Sequence, residues 1–291
     1  MAWLLDLPAT EGSYDADAVR VVRTSMTSTD TFERLRAICA KVGFDLARVD
    51  PTFLARLELL AETTQTVGDA ERMADLALRF FRYYDTTKPR EVWRESERRV
   101  VVLGCLFSDI GKTGPGSADP GGQRLIVEMF AVEGVRDEAQ PVTRFMETHF
   151  PRDAEQRVRA FAGLALDPKM PIREFWNLHS RWTLEIVEAG GIPADVVAAA
   201  ATHHLLDDIN PAAIVASDHR FTRPFGDNVA FDRAEKLIIL LDKYDALRRR
   251  GRRTHEQAIS WLRKRVDESR RFSGDVEFST LIVDLDVAAR P

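Results

Sequence analysis

The stretch VVVLGCLFSDIGKTGPG, Val100 to Gly116, decides how the rest of the chain is read. Its first eight residues, Val100 to Phe107, are apolar without alternation and without charge. A helix that is apolar on every side has no face for solvent, so this run is too apolar to be an exposed helix. The run then ends on a carboxylate, Asp109, followed by a glycine-rich loop carrying Lys112. A carboxylate at the end of such a run is costly to bury unless it is paired or bound.

Outward from this centre the pattern stays helical. Thr29-Asp30 to Gly43 reads as a cap-to-glycine frame, and Asp50-Pro51 opens the next helix with Asp as N-cap and Pro at its first position. The apolar period predicts further helices over about 69–84, 92–109, 122–132, 141–148, 153–165, 172–189, 194–206, 231–249 and 254–270. Pro and Gly punctuate the gaps. Only Val276 to Val287 shows period-two alternation, and its type stays open. The expected fold class is all-α, a helical bundle with short loops, divided into an N-terminal extension (1–50) and a main domain (51–291).

Composition excludes several classes. Lys+Arg 41 against Asp+Glu 46 gives a net charge of −5, so the chain is not coated in positive charge for non-specific nucleic-acid binding. The longest apolar run is far short of the roughly 20 residues a membrane helix needs. The N-terminus has no basic segment followed by a long apolar one, and Cys39 and Cys105 supply neither a disulfide framework nor zinc spacing. A cytoplasmic, soluble protein is expected.

Ionisable residues fall where core residues belong. Asp69 shares a row with Met73, Leu76 and Phe80, and His179 one with Phe175, Trp182 and Ile186. His203 follows Val196 and Ala200, and His204 follows Val197 and Ala201. Asp242 sits in the row of Ile238, Leu241 and Asp245. Singly, each reads as a hydrogen-bonded core histidine, a helix cap or the partner of an arginine. Together they suggest acids and imidazoles facing one another, a donor set suited to Mn, Fe, Ni or Zn.

The order Asp109-Ile110-Gly111-Lys112, then His179, then His203-His204, then Leu241-Asp242-Lys243-Tyr244-Asp245-Ala246-Leu247 resembles the HD superfamily of metal-dependent phosphohydrolases. Its nearest likeness is to the HD-GYP and HDOD-like subgroups, and it spans about residues 52 to 288. The helix around Asp69 to Ala77 is similar to the family's H-x-x-R-V-A-x-L-A segment. The resemblance implies an HD-like bundle in which Asp69, Asp109, His179, His203, His204 and Asp242 ligate a divalent metal. It also implies that Lys112 contacts the phosphate of a substrate. Two positions depart from the pattern: Ser108 stands for the histidine of the HD pair, and Asp69 for the first histidine ligand. LLDDINP follows His204 without the family's Glu or GYP signature. One ion rather than two is therefore expected.

The resulting expectation is a phosphohydrolase or phosphodiesterase acting on a phosphorylated small molecule or nucleotide, with Asp109 and Lys112 catalytic and Lys112 and Arg248 binding phosphate. The alternative is an inactive HD-like module for nucleotide sensing, regulation or protein interaction; third comes a purely structural helical domain. A protein partner is compatible with both of the first two, while membrane and nucleic-acid partners are not expected. The basic turn Arg248 to Arg253 reads as a solvated helix end with a secondary steering role. His149, His219 and His255 read as surface residues, Cys105 as a buried inert thiol, and Trp176 and Trp182 as core.

Overall fold

The computed structural model describes residues 30–207, 233–269 and 272–290. Among these residues the protein is all-α, with no strand. The helices are α1 (30–40), α2 (Pro51–Thr63), α3 (Thr66–Thr87), α4 (Glu95–Phe107), α5 (Pro120–Phe130) and α6 (Val142–His149). They continue as α7 (Ala154–Gly163), α8 (Ile172–Ala189), α9 (Ala194–Ala201), α10 (Arg233–Arg249), α11 (His255–Glu268) and α12 (Val276–Ala288).

The capping chemistry is where the sequence puts it. Asp50 accepts from the Thr52 amide at 2.7 Å ahead of Pro51, and Asp119 accepts from Gly122 N at 2.7 Å ahead of Pro120. Thr254 and Gln257 form a reciprocal capping box on α11. Gly43, at φ +67°, takes the left-handed conformation just beyond α1.

Helix α4 occupies the middle, packed between α3, α9 and α10. That placement explains its composition: every residue from Val100 to Phe107 is buried. Gly104 is what lets α10 approach, because a Cβ there would lie 2.5 Å from Ile238 Cδ1. The extension joins the same core through Leu35, Ile38, Cys39, Leu46 and Val49.

Two expectations change. Val276 to Val287 is helical: Phe278, Leu281, Ile282 and Leu285 face α10 and α11, and the outer valines produce the apparent alternation. The helix expected over 194–206 ends at Ala201, so His203 and His204 stand in the turn that follows. No helix among the described residues is long and apolar enough to cross a membrane.

Candidate metal centre

The site is assembled by the turn after α4. Asp109 caps a short 3-10 turn, Ile110–Thr113, which lies against α8. Thr183 brackets this turn: its Oγ1 donates to the Ser108 carbonyl at 2.7 Å and accepts from Gly111 N at 3.0 Å. Position 111 has no room for a side chain, since a Cβ would fall 1.9 Å from the His179 carbonyl oxygen. From the other side Arg56 of α2 closes the loop. Its guanidinium donates to Thr113 Oγ1 at 2.9 Å and to the carbonyls of Pro115 and Gly116 at 3.0 Å each. Arg56 is buried, and burial lowers its pKa to about 10 against a weaker opposing pull from Glu185.

Four ligand-type groups converge here. Asp109, His179, His203 and His204 each offer one donor atom, all within 4.8 Å of one another. Asp109 Oδ1 lies 3.4 Å from His179 Nε2 and 3.7 Å from His203 Nε2, while His204 Nε2 lies 3.0 Å from His179 Nε2. A tetrahedral ion with bonds of about 2.1 Å sets its ligand atoms about 3.4 Å apart, which these separations straddle.

Second contacts orient the rings. Nδ1 of His179 donates to the Trp176 carbonyl, and Nδ1 of His203 to the Ala200 carbonyl at 2.6 Å. A carbonyl only accepts, so in the neutral ring the proton sits on Nδ1 and the Nε2 lone pair faces the cluster. Burial, reinforced by His204, pushes His179 well below the usual imidazole range. Burial alone would push Asp109 up, but the Lys112 ammonium, with His203 and His179, holds it well below the usual carboxylate range. Lys112 Nζ sits 2.7 Å from Asp109 Oδ2, leaving Oδ1 for the histidines.

Asp109 Oδ1 and His203 Nε2 are fully buried and have no hydrogen-bond partner among the described residues. Buried polar atoms are seldom left so, and here the two lie 3.7 Å apart, close to the spacing of two ligands on one ion. The donor set fits a borderline divalent ion.

The other expected residues fall around this cluster. Asp242 of α10 stands behind His204, its Oδ2 3.6 Å from Nδ1, and that oxygen also accepts no hydrogen bond. Asp69 lines the same cavity, but its oxygens are taken by Arg72 and Arg249, and burial raises its carboxyl in spite of them. Arg248 is turned away, donating to the Arg253 carbonyl at 2.7 Å; Arg249, Arg250 and Arg252 line the cavity instead. Ser108 Oγ points back to the Cys105 carbonyl at 3.3 Å. The cavity holds about 1050 Å³.

Three minor readings are corrected or refined. His255 is buried, between Tyr244 OH at 2.9 Å and Asp286 Oδ1 at 3.0 Å, because the chain folds α12 over the start of α11. Trp176 is half-buried on the cavity wall, while Trp182 is core as expected. Cys105 is core, and burial pushes its thiol up. His149 is half-buried beside Phe145; His219 and the Pro211–Asn228 stretch lie outside the described residues.

Sequence reasoning passed over Arg56 and Thr183. Arg56 falls on the buried row Phe53, Arg56, Leu57, Leu60, so the rule that found Asp69 applies to it equally. Thr183 carries no such signal. Comparison with family models, with curated proteins and with solved structures gives no match for this chain.

Proposed function

We propose that the chain is an HD-type phosphohydrolase with a single divalent ion at Asp109, His179, His203 and His204, acting on a phosphorylated small molecule or nucleotide. The observation that carries this reading is the pair of buried, partnerless donors, Asp109 Oδ1 and His203 Nε2, inside a ring of further ligand-type groups. A bound ion of the Mn, Fe, Ni or Zn class supplies a Lewis acid that activates water and offsets phosphate charge. The chain's own residues do the rest. Asp109, held ionised, and the Nε2 atoms of His179, His203 and His204 form the binding face. Asp242 places a negative charge behind His204, 3.6 Å from Nδ1.

Lys112 is the cation nearest the cluster and serves one phosphate oxygen by turning from Asp109 Oδ2. Arg249, Arg250 and Arg252 draw the anion into the cavity. The test is phosphate release from a panel of nucleotides and from bis(p-nitrophenyl) phosphate with added Mn²⁺. Turnover that falls at least a hundredfold in Asp109→Asn is the expected result. Absence of turnover on the whole panel contradicts it.

One observation favours a second reading, an inactive module that keeps the pocket. Ser108 replaces the imidazole that a second ion would need, and its hydroxyl is directed away from the cluster. Nucleotide binding that Lys112→Met weakens, with no turnover of the wild-type chain, selects this reading.

A further inference from the structure

Helix α12 carries an apolar seam on which nothing packs among the described residues. Val276 is 77% exposed, Val283 54% and Val287 47%, and among the described residues the remaining exposed large hydrophobic is Val92. With exposed Thr280 these residues recur at spacings of four, three and four, a coiled-coil-like row of β-branched side chains without a charge. Solvent-facing helix surfaces elsewhere in this protein are charged: Arg159 and Glu155 on α7 and Lys264 and Glu268 on α11 are examples.

The two ends of the seam differ in sign. At its start stand Asp275 and Glu277, which share Lys236 among the described residues. At its end Arg263 and Arg290 share the one acid Asp286, and Arg79 donates to the Ala288 and Arg290 carbonyls. Among the described residues the start therefore has acid in excess and the end has base in excess. Parallel pairing of two such helices sets like against like. Antiparallel pairing sets each acidic start beside a basic end and also opposes the two helix dipoles.

We propose that this face is where two copies of the chain meet, α12 against α12 about a two-fold axis passing between Thr280 and Val283. Val276 of each copy then packs near Val287 of the other, and Asp275 and Glu277 approach Arg290. The contact is isologous and closes at two copies. No α12 residue lines the cavity, so pairing leaves its mouth open. A 13-residue helix is about 20 Å long, which gives less contact than the roughly 800 Å² per partner of a standard interface, so the association is micromolar rather than nanomolar.

Sedimentation equilibrium on the full chain, from about 1 to about 500 μM to bracket a small interface, tests this. A monomer–dimer equilibrium is expected in wild type. Val283→Arg, at an exposed position that leaves the fold intact, weakens it at least about thirtyfold. Arg290→Glu weakens it several-fold, Glu277→Arg combined with Arg290→Glu restores part of the loss, and Arg159→Glu on α7 leaves it unchanged. Circular dichroism confirms that each variant is folded. A chain that stays monomeric throughout overturns the proposal and assigns the seam to a different partner. A dimer that survives Val283→Arg overturns the choice of face, and one indifferent to Arg290→Glu overturns the antiparallel arrangement.

Discussion

Replacing Gly111 by alanine puts the link between loop and ligand helix under direct strain. The added Cβ would lie 1.9 Å from the His179 carbonyl oxygen, 2.5 Å from Thr183 N and 2.7 Å from Thr183 Oγ1. Two of these atoms belong to the backbone of α8, which cannot swing aside as a side chain can, so the loop has to retreat. Overpacking a close-packed interior costs about 1–3 kcal/mol, and a contact this short against backbone belongs at the top of that range. For a chain of this size about 3 kcal/mol corresponds to roughly 6–12 °C in Tm. The retreat also breaks the Gly111 N–Thr183 hydrogen bond and carries Asp109 away from His179.

Urea unfolding monitored by circular dichroism gives the stability, and isothermal titration with Mn²⁺ gives the affinity of the cluster. Gly163→Ala is the internal control: nothing lies within 4 Å of its Cβ position and no positive φ is required, so it gains about 0.4–1 kcal/mol. A Gly111→Ala variant within about 0.5 kcal/mol of wild type, the usual scatter of harmless substitutions, would refute the close approach of loop and helix.

Other perturbations follow from the same structure. Arg56→Met removes the donor shared by the Thr113, Pro115 and Gly116 oxygens and leaves them buried or half-buried without it. A loss of about 2–4 kcal/mol is expected in urea unfolding, together with weaker metal binding although Arg56 touches no ligand. Glu97 is held below the usual carboxylate range: burial pushes it up, but Arg233 and the Arg94 amide outweigh that. A depressed carboxyl stabilises the fold above its unfolded value of about 4.3, and the contribution disappears as pH falls through the folded value. The stability difference between wild type and Glu97→Gln, about 1 kcal/mol for a partly exposed pair, is therefore flat from pH 7 to about pH 5, shrinks as pH falls through the unfolded value and is gone once pH is below the folded one. A difference that grows on acidification contradicts the pairing.

The fold was legible because its centre is written in composition. A run with no polar face, Val100 to Phe107, is too apolar for an exposed helix, and the cap Asp50 ahead of Pro51 marks its helix unaided. The cluster was legible for a related reason: Asp109, His179 and His203 interrupt apolar patterns, and all of them are buried. What stayed hidden depends on chain paths that periodicity does not encode. Asp69 and Asp242 also interrupt apolar rows, yet one is claimed by Arg72 and Arg249 and the other stands behind His204. Which arginine of Arg248 to Arg252 faces the cavity is set by where α10 ends, at Arg249, and by the turn that follows it. His255 looks like a helix-start surface residue until α12 closes over it. Val276 to Val287 alternates because exposed valines are interleaved with the buried Phe278, Leu281, Ile282 and Leu285 of one helix.

The central claim is that Asp109 and the histidines close on one divalent ion. Elemental analysis of protein purified without chelator, followed by calorimetric titration of the stripped chain with Mn²⁺ and Zn²⁺, tests it most directly. One ion per chain is expected, abolished by His203→Ala and weakened by Asp242→Asn, which removes the negative charge beside His204. A folded chain that takes up no ion, or whose uptake His203→Ala leaves unchanged, contradicts it.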